Sequence, residues 1–250
     1  MSVLLILAVT IVVFLGALTR TTFGFGEAVV SMPLLALLPV HLHTVIALMG
    51  LVSLTVAAVT VTTGWRFINR QELIPVVIAA LMGIPVGLWM VTAVPSNLVT
   101  GLLGVALIVY GAYSLSRTPV ASYAAPDRVP LTIWGLVFGF ASGVFGSAYN
   151  LMGVPVAIYG SLRGWHPRNF RSTMQAYFLI SGTMIVTGQG ISRMWTMNMV
   201  RLYVFSLPAI AAAVLVGTIL HKNIPTAKFQ RYVFLLVTVF GALLLIKSTI

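Results

Sequence analysis

A carboxylate within a stretch otherwise fit for hydrocarbon needs a physical reason to be there. Glu27 sits in GFGEAVVSMP, residues 24–33, and is the only acid inside an apolar run of the chain. Ionisable groups at membrane depth are costly enough that a functional role is the first reading. Glu27 is therefore a candidate proton-coupling group. Two other readings stand beside it: a partner for Arg20, seven residues upstream, or a charge satisfied by the positive end of a helix that starts there. Arg20 and Arg171 offer the complementary chemistry, since a guanidinium fork matches the oxygens of a sulfonate or carboxylate. Gln175 follows Arg171 by one helical turn and so shares its face. The alternative for Arg171 is a loop charge that sets orientation in the membrane.

The first stretch has an echo. FGSAYNLMGVP carries Gly146 and Pro155 nine residues apart, the spacing of Gly24 and Pro33. A helix beginning at Gly26 or at Ala148 would present unpaired backbone N–H groups and the positive end of its dipole, which together favour an anion. Glycine lets a ligand approach the backbone closely, and Ser31, Ser147 and Asn150 would add hydrogen bonds. Tyr149 and Asn150 stand where the first copy has Glu27, so they are candidates for the same cavity. The competing reading is that these glycines only let helices pack closely, as expected for Gly139 and Gly143, a small-xxx-small pair.

Other chemistry has less support. His41 and His43 form an H-x-H pair with no Asp, Glu or Cys nearby, so neither a metal site nor a cofactor is expected. Ser142 lies in GFASG, yet no His or Lys is placed to act as its base, and an intramembrane hydrolase is only a rival reading. No catalytic residue is assigned.

The elements that must position these residues follow from composition. Of 250 residues 60% are apolar and 7% charged, with a mean hydropathy of +1.08, where soluble domains carry roughly 25% charged residues. Ten apolar segments are expected, at 2–19, 24–38, 43–63, 73–93, 97–115, 131–145, 148–161, 171–191, 198–220 and 230–249. Continuous runs of this kind predict an all-α polytopic membrane protein in place of a barrel. Residues 24–38 give about 22 Å of helix, short of a hydrocarbon core of about 30 Å, and 148–161 is shorter still. Each is either a kinked, incomplete span or a re-entrant hairpin with its predecessor. The first run lacks a basic n-region and is kept as mature structure instead of a signal peptide. The net charge of +11 lies mostly in loops between apolar runs and carries no nucleic-acid motif.

The segments divide into repeats, 1–116 and 131–250, joined by a polar linker at 117–130. Gly87, Pro95 and Gly111 have the spacing of Gly217, Pro225 and Gly241, and the second copy is eight residues longer in its middle, around SLRGWHPRNFRS. Arg66, Arg70, Arg117, Arg128, Arg163, Arg168, Arg171, Lys222, Lys228 and Arg231 fill four loops that the positive-inside rule places in the cytoplasm. Both termini then lie outside. Loop 65–72 is inside against 190–197 outside, and 94–97 outside against 221–227 inside, so the repeats are inverted. Such repeats characterise secondary transporters with a substrate site near the bilayer midplane. All five Trp (65, 89, 134, 165 and 195) fall near segment ends, where indole rings favour the headgroup level.

GFGEAVVSMPLLAL, followed by FGFASGVFGSAYNLMGVPVAIYGSLRGWHPRNFRSTMQAYF, resembles the paired signature of the sulfite exporter TauE/SafE family over nearly the whole chain. The resemblance implies an inner-membrane transporter, usually an exporter, of small organosulfur or oxoacid anions such as sulfite, sulfoacetate or related sulfonates. The family often has Gly where this chain has Glu27, and Gly-Gly where it has Ala148 and Tyr149. The expected partners are a small anion and the lipid bilayer, not nucleic acid; a homodimer is left open. Alternating access is the expected mechanism, and a passive anion channel on the same scaffold is the alternative.

Overall fold

The computed structural model describes residues 2–62, 64–116 and 131–220, with scattered helical positions between 238 and 248. The linker at 117–130, the loop at 221–227 and more than half of the tenth segment lie outside the described residues. Among those described there are nine α-helices and no strand: α1 (Val3–Phe23), α2 (Glu27–Leu37), α3 (Leu42–Val61), α4 (Arg70–Ala93), α5 (Ser96–Ser116), α6 (Leu131–Tyr149), α7 (Gly153–Leu162), α8 (Pro167–Ile191) and α9 (Met197–Leu220). By length and hydropathy α1, α3, α4 and α9 are fit to cross a membrane, which makes this a multi-pass membrane protein. The outward faces agree, for Leu4, Leu7, Ile11 and Leu15 on α1 and Val204, Leu215 and Ile219 on α9 are exposed. In water such stripes would be a liability.

Several boundaries move from their expected places. α1 runs past residue 19 because Thr21 and Thr22 return their hydroxyls to the carbonyls of Ala17 (2.7 Å) and Leu18 (2.8 Å), so no polar group is left to break it. It stops at Gly24, whose φ of 88° closes the helix while its N–H bonds to the Arg20 carbonyl, a left-handed C-terminal cap. α6 continues to Tyr149 instead of ending at 145. Gly146 is helical, Ser147 donates to the Gly143 carbonyl at 2.8 Å, and the stop is Asn150 at φ 56°, bonded to the Gly146 carbonyl at 2.8 Å. The helix expected from Ala148 therefore begins at Gly153. α4 starts three residues early, at Arg70, where Asn69 caps the N–H of Glu72 at 3.4 Å. α8 starts at Pro167 and not at 171, since proline is well suited to a first helical turn.

The two short helices each turn back along their predecessor. Ser31 donates to the carbonyl of Val12 at 3.2 Å, placing α2 antiparallel to α1. Ser142 donates to the Met152 carbonyl, and Tyr159 lies beside Gly135, placing α7 antiparallel to α6. With 11 and 10 residues, these helices reach only about 15–16 Å. Around the hairpins, α4 packs along α6, α1 along α9, and α3 against α8. Gly139 and Gly143 meet the backbone of Val76 and Ala80, and Gly83 and Gly87 meet that of Phe140 and Val144. The pair is therefore parallel and in backbone contact, as the spacing of Gly139 and Gly143 suggests. α3 and α8 are antiparallel, with Thr60 against Gln175 at one end and Gly50 against Gln189 at the other.

Candidate functional site

Where the starts of α2 and α7 converge on the middle of α3 and α8, a narrow cavity opens. Its wall is made by Arg20, the first turn of α2 (Gly26, Glu27, Ala28, Val29), Met49 and Ser53 from α3, the α6–α7 break (Asn150, Leu151, Gly153, Val154) and Phe178 of α8. Both sequence-related breaks thus contribute. Gly26 caps α2 at φ 96° with no side-chain hydrogen bond to the helix end, so the N–H groups of that first turn have no cap acceptor.

Arg20 is the centre of the charge. It is 1% exposed, and Nη1 lies 2.7 Å from Oε2 of Glu27, itself 4% exposed. Nη1 also donates to the Ser53 carbonyl at 2.8 Å and its hydroxyl at 2.5 Å, and Nη2 to Oε1 of Gln175 at 3.2 Å. The guanidinium stacks over Phe178, 4.2 Å from the ring centroid. Three elements, α2, α3 and α8, therefore hold one cation of α1, and a charge this deep is tolerable only with such company. Three polar atoms of the cavity residues lack a hydrogen-bond partner: Nε of Arg20, Oε1 of Glu27 and Oδ1 of Asn150.

The candidate residues separate into two sets. Arg20, Gly26, Glu27 and Asn150 line the cavity, and Glu27 is the partner of Arg20 as one of its readings proposed. The others have identifiable packing or bridging contacts. Gly24 accepts from Gln175 Nε2 at 3.0 Å, and Gln175 also accepts from Thr60 at 2.9 Å, so it stands directly behind Arg20. Arg171 donates to the Thr21 carbonyl at 3.0 Å, tying α8 to the end of α1. Ser31 packs into Gly16 on α1, and Ser147 donates to the Ile84 carbonyl of α4 at 3.0 Å. Gly146 sits against Met152, and Tyr149 is buried with its hydroxyl unpartnered.

Four cavity contributors carry no sequence signal of chemistry: Met49, Ser53 and Phe178 are ordinary helix residues brought in by packing, and Leu151 lies in the break between α6 and α7. A second buried charge cluster also escapes the sequence reading. Glu72, 4% exposed, meets Nη2 of Arg163 at 2.9 Å and accepts from the Tyr159 hydroxyl at 2.6 Å, fastening the end of α7 to the start of α4. Glu72 therefore belongs to α4, so Glu27 is not alone among helical acids. The clue was scarcity: of only three acids in the chain, the two described ones, Glu27 and Glu72, each pair with an arginine. Elsewhere, Ser142 is bound to Met152 and to the Tyr177 hydroxyl at 2.6 Å. His43 contacts the Val91 carbonyl at 2.9 Å. Trp165 departs from its companions, being buried between Tyr159 and Phe170.

A family model described as Sulfite exporter TauE/SafE matches residues 9–244. No curated protein and no solved structure matches the chain.

Proposed function

The chain belongs to the sulfite exporter TauE/SafE family, and from that premise we propose that it is a secondary transporter exporting small organosulfur or oxoacid anions, such as sulfite, sulfoacetate or related sulfonates, by alternating access. Members of the family are membrane transporters of sulfur-containing anions and not enzymes. The observation that carries the reading for this chain is the cavity itself, where one buried guanidinium faces two helix starts contributed by different halves of the sequence. Met49 and Ser53 lie near the middle of α3 and Phe178 near the middle of α8, which supports a site at midplane depth. Arg20 is the substrate cation, the first turns of α2 and α7 are the anion cradle, Asn150 is a further contact, and Glu27 is the proton-coupling group. Gln175 and Arg171 serve from behind by holding Arg20 and Gly24 in place.

The two halves, 1–116 and 131–250, act as inverted repeats in this reading. Helix contacts support it. Exchanging α1 with α6, α2 with α7, α3 with α8 and α4 with α9 turns the pair α4–α6 into α9–α1, α4–α8 into α9–α3, and α1–α2 into α6–α7, and all of these pairs are in contact. The pair α3–α8 maps onto itself. A pseudo-twofold axis through that antiparallel pair would leave the cavity beside it, and the loop charges set the linker side in the cytoplasm.

Purified protein in proteoliposomes should accumulate radiolabelled sulfite or methanesulfonate against its gradient when a proton gradient is imposed. Flux that only ever runs down the anion gradient would assign the scaffold to a passive channel. Thermal shift with sulfite, sulfoacetate, methanesulfonate, sulfate and acetate ranks the ligands, because an anion that binds only the folded protein raises its melting temperature.

A further inference from the structure

Nothing in the transporter reading explains why the one cation in the cavity is already occupied. Arg20 is paired with Glu27 at 2.7 Å, and both are buried. The site is thus electrically neutral before any substrate arrives. We infer that the Glu27 carboxylate is a built-in stand-in for the substrate, so that an anion reaches Arg20 only when Glu27 takes up a proton, and transport is electroneutral, one proton with one monoanion. The inference rests on the transporter reading and specifies the charge of what that site accepts; since proton and anion move together, export runs down the anion's own outward gradient, and an inward proton gradient would drive uptake.

Charge counting in a low-dielectric site drives it. With Glu27 ionised, a monoanion beside Arg20 would leave the cavity with one uncompensated negative charge, a costly state in an interior. With Glu27 protonated, Arg20 and the monoanion cancel. A dianion leaves an excess negative charge either way, so hydrogensulfite and monosulfonates are accepted over sulfate and over sulfoacetate, whose carboxylate beside the sulfonate makes it a dianion. Geometry supplies the exchange route: Glu27 Oε1 has no hydrogen-bond partner and belongs to the cavity wall, where a proton would arrive. Arg20 Nε is likewise unpartnered, and Asn150 Oδ1 of the same cavity lining lacks a donor. Ser53 keeps the guanidinium in place as the carboxylate leaves.

No other acid competes for this role among the described residues. Of the elements packed on α2, α1 supplies Arg20. α3 supplies His43, held at the Val91 carbonyl, and α5 supplies Tyr110. Beyond them, α8 brings Arg171 to Gly24 and Tyr177 to Ser142. Glu72 is bound by Arg163 and Tyr159.

The test uses methanesulfonate, a monoanion at every working pH, so any proton dependence belongs to the protein, with sulfite alongside and sulfate and sulfoacetate as the dianions. In wild-type proteoliposomes the accumulation ratio of methanesulfonate should change about tenfold for each unit of imposed pH gradient, as one proton per anion requires. A potassium diffusion potential set with valinomycin should leave it unchanged, and sulfate should not be accumulated. In Glu27→Gln the pH-driven accumulation disappears and anion flux becomes sensitive to voltage. Flux that is voltage-driven in the wild type, or that carries no proton, or sulfate handled as well as methanesulfonate, overturns the inference while leaving the transporter reading intact. No flux or binding of methanesulfonate or sulfite overturns both. The wild-type measurement decides the matter even if the variant fails to fold.

Discussion

Arg20 and Glu27 carry opposite charges into a region with almost no water, and their separate removal should not cost the same as their joint removal. Replacing Arg20 with Leu strands a buried carboxylate, and breaking a buried pair typically costs about 3–5 kcal/mol. Replacing both with Leu removes the charges together and should cost less than the single change. Unfolding of the purified protein followed by tryptophan fluorescence separates these outcomes, and a double variant less stable than Arg20→Leu would contradict the pairing. Arg20→Lys should retain a cation yet lose most transport, because an ammonium cannot bond at once to Ser53, Gln175 and an anion as the guanidinium fork can. The spacing of this pair in the sequence made it one of three open readings of Glu27. The choice needed the left-handed turn through Gly24 and Gly26, which folds residue 27 back onto residue 20.

At the scale of the element, the first helix break was legible and the second was misplaced by a turn. G-x-G before an apolar run signals positive φ plainly, and both Gly24 and Gly26 adopt it. In the echo, Gly146 is a packing residue inside α6 and the break falls to Asn150, a residue only moderately prone to that conformation, so the glycine drew attention to the wrong position. The salt link between Glu72 and Arg163 was not legible because its partners are 91 residues apart and meet only once α7 has doubled back along α6. Glycine packing was legible from the small-xxx-small pattern, and it makes a graded prediction. Gly143→Ala would push a methyl into the Ala80 carbonyl, where backbone cannot yield. The cost should be about 1–3 kcal/mol. Gly182→Ala meets only ordinary contacts at 3.8 Å and should change stability by less than about 0.5 kcal/mol. Equal effects in thermal unfolding would argue against backbone contact between α4 and α6.

Taken whole, the chain inverts the usual arrangement of a soluble protein: its outer face is apolar, and its described carboxylates are inside. Composition alone fixed that class, because a surface with so few charges has no stable place in water. What composition could not give is the convergence of two remote breaks on one cavity, which depends on α3 and α8 crossing at their middles and on α1 and α6 finding partners in the opposite half. The absence of cysteine makes that convergence directly testable. Cysteines introduced singly at Val29 of α2 and at Val154 of α7, both in the cavity lining, should both react in membrane vesicles with the small anionic reagent MTSES, and methanesulfonate should slow both reactions. If either position is inert, or if both react at rates that no sulfur anion alters, the two breaks do not share an anion site.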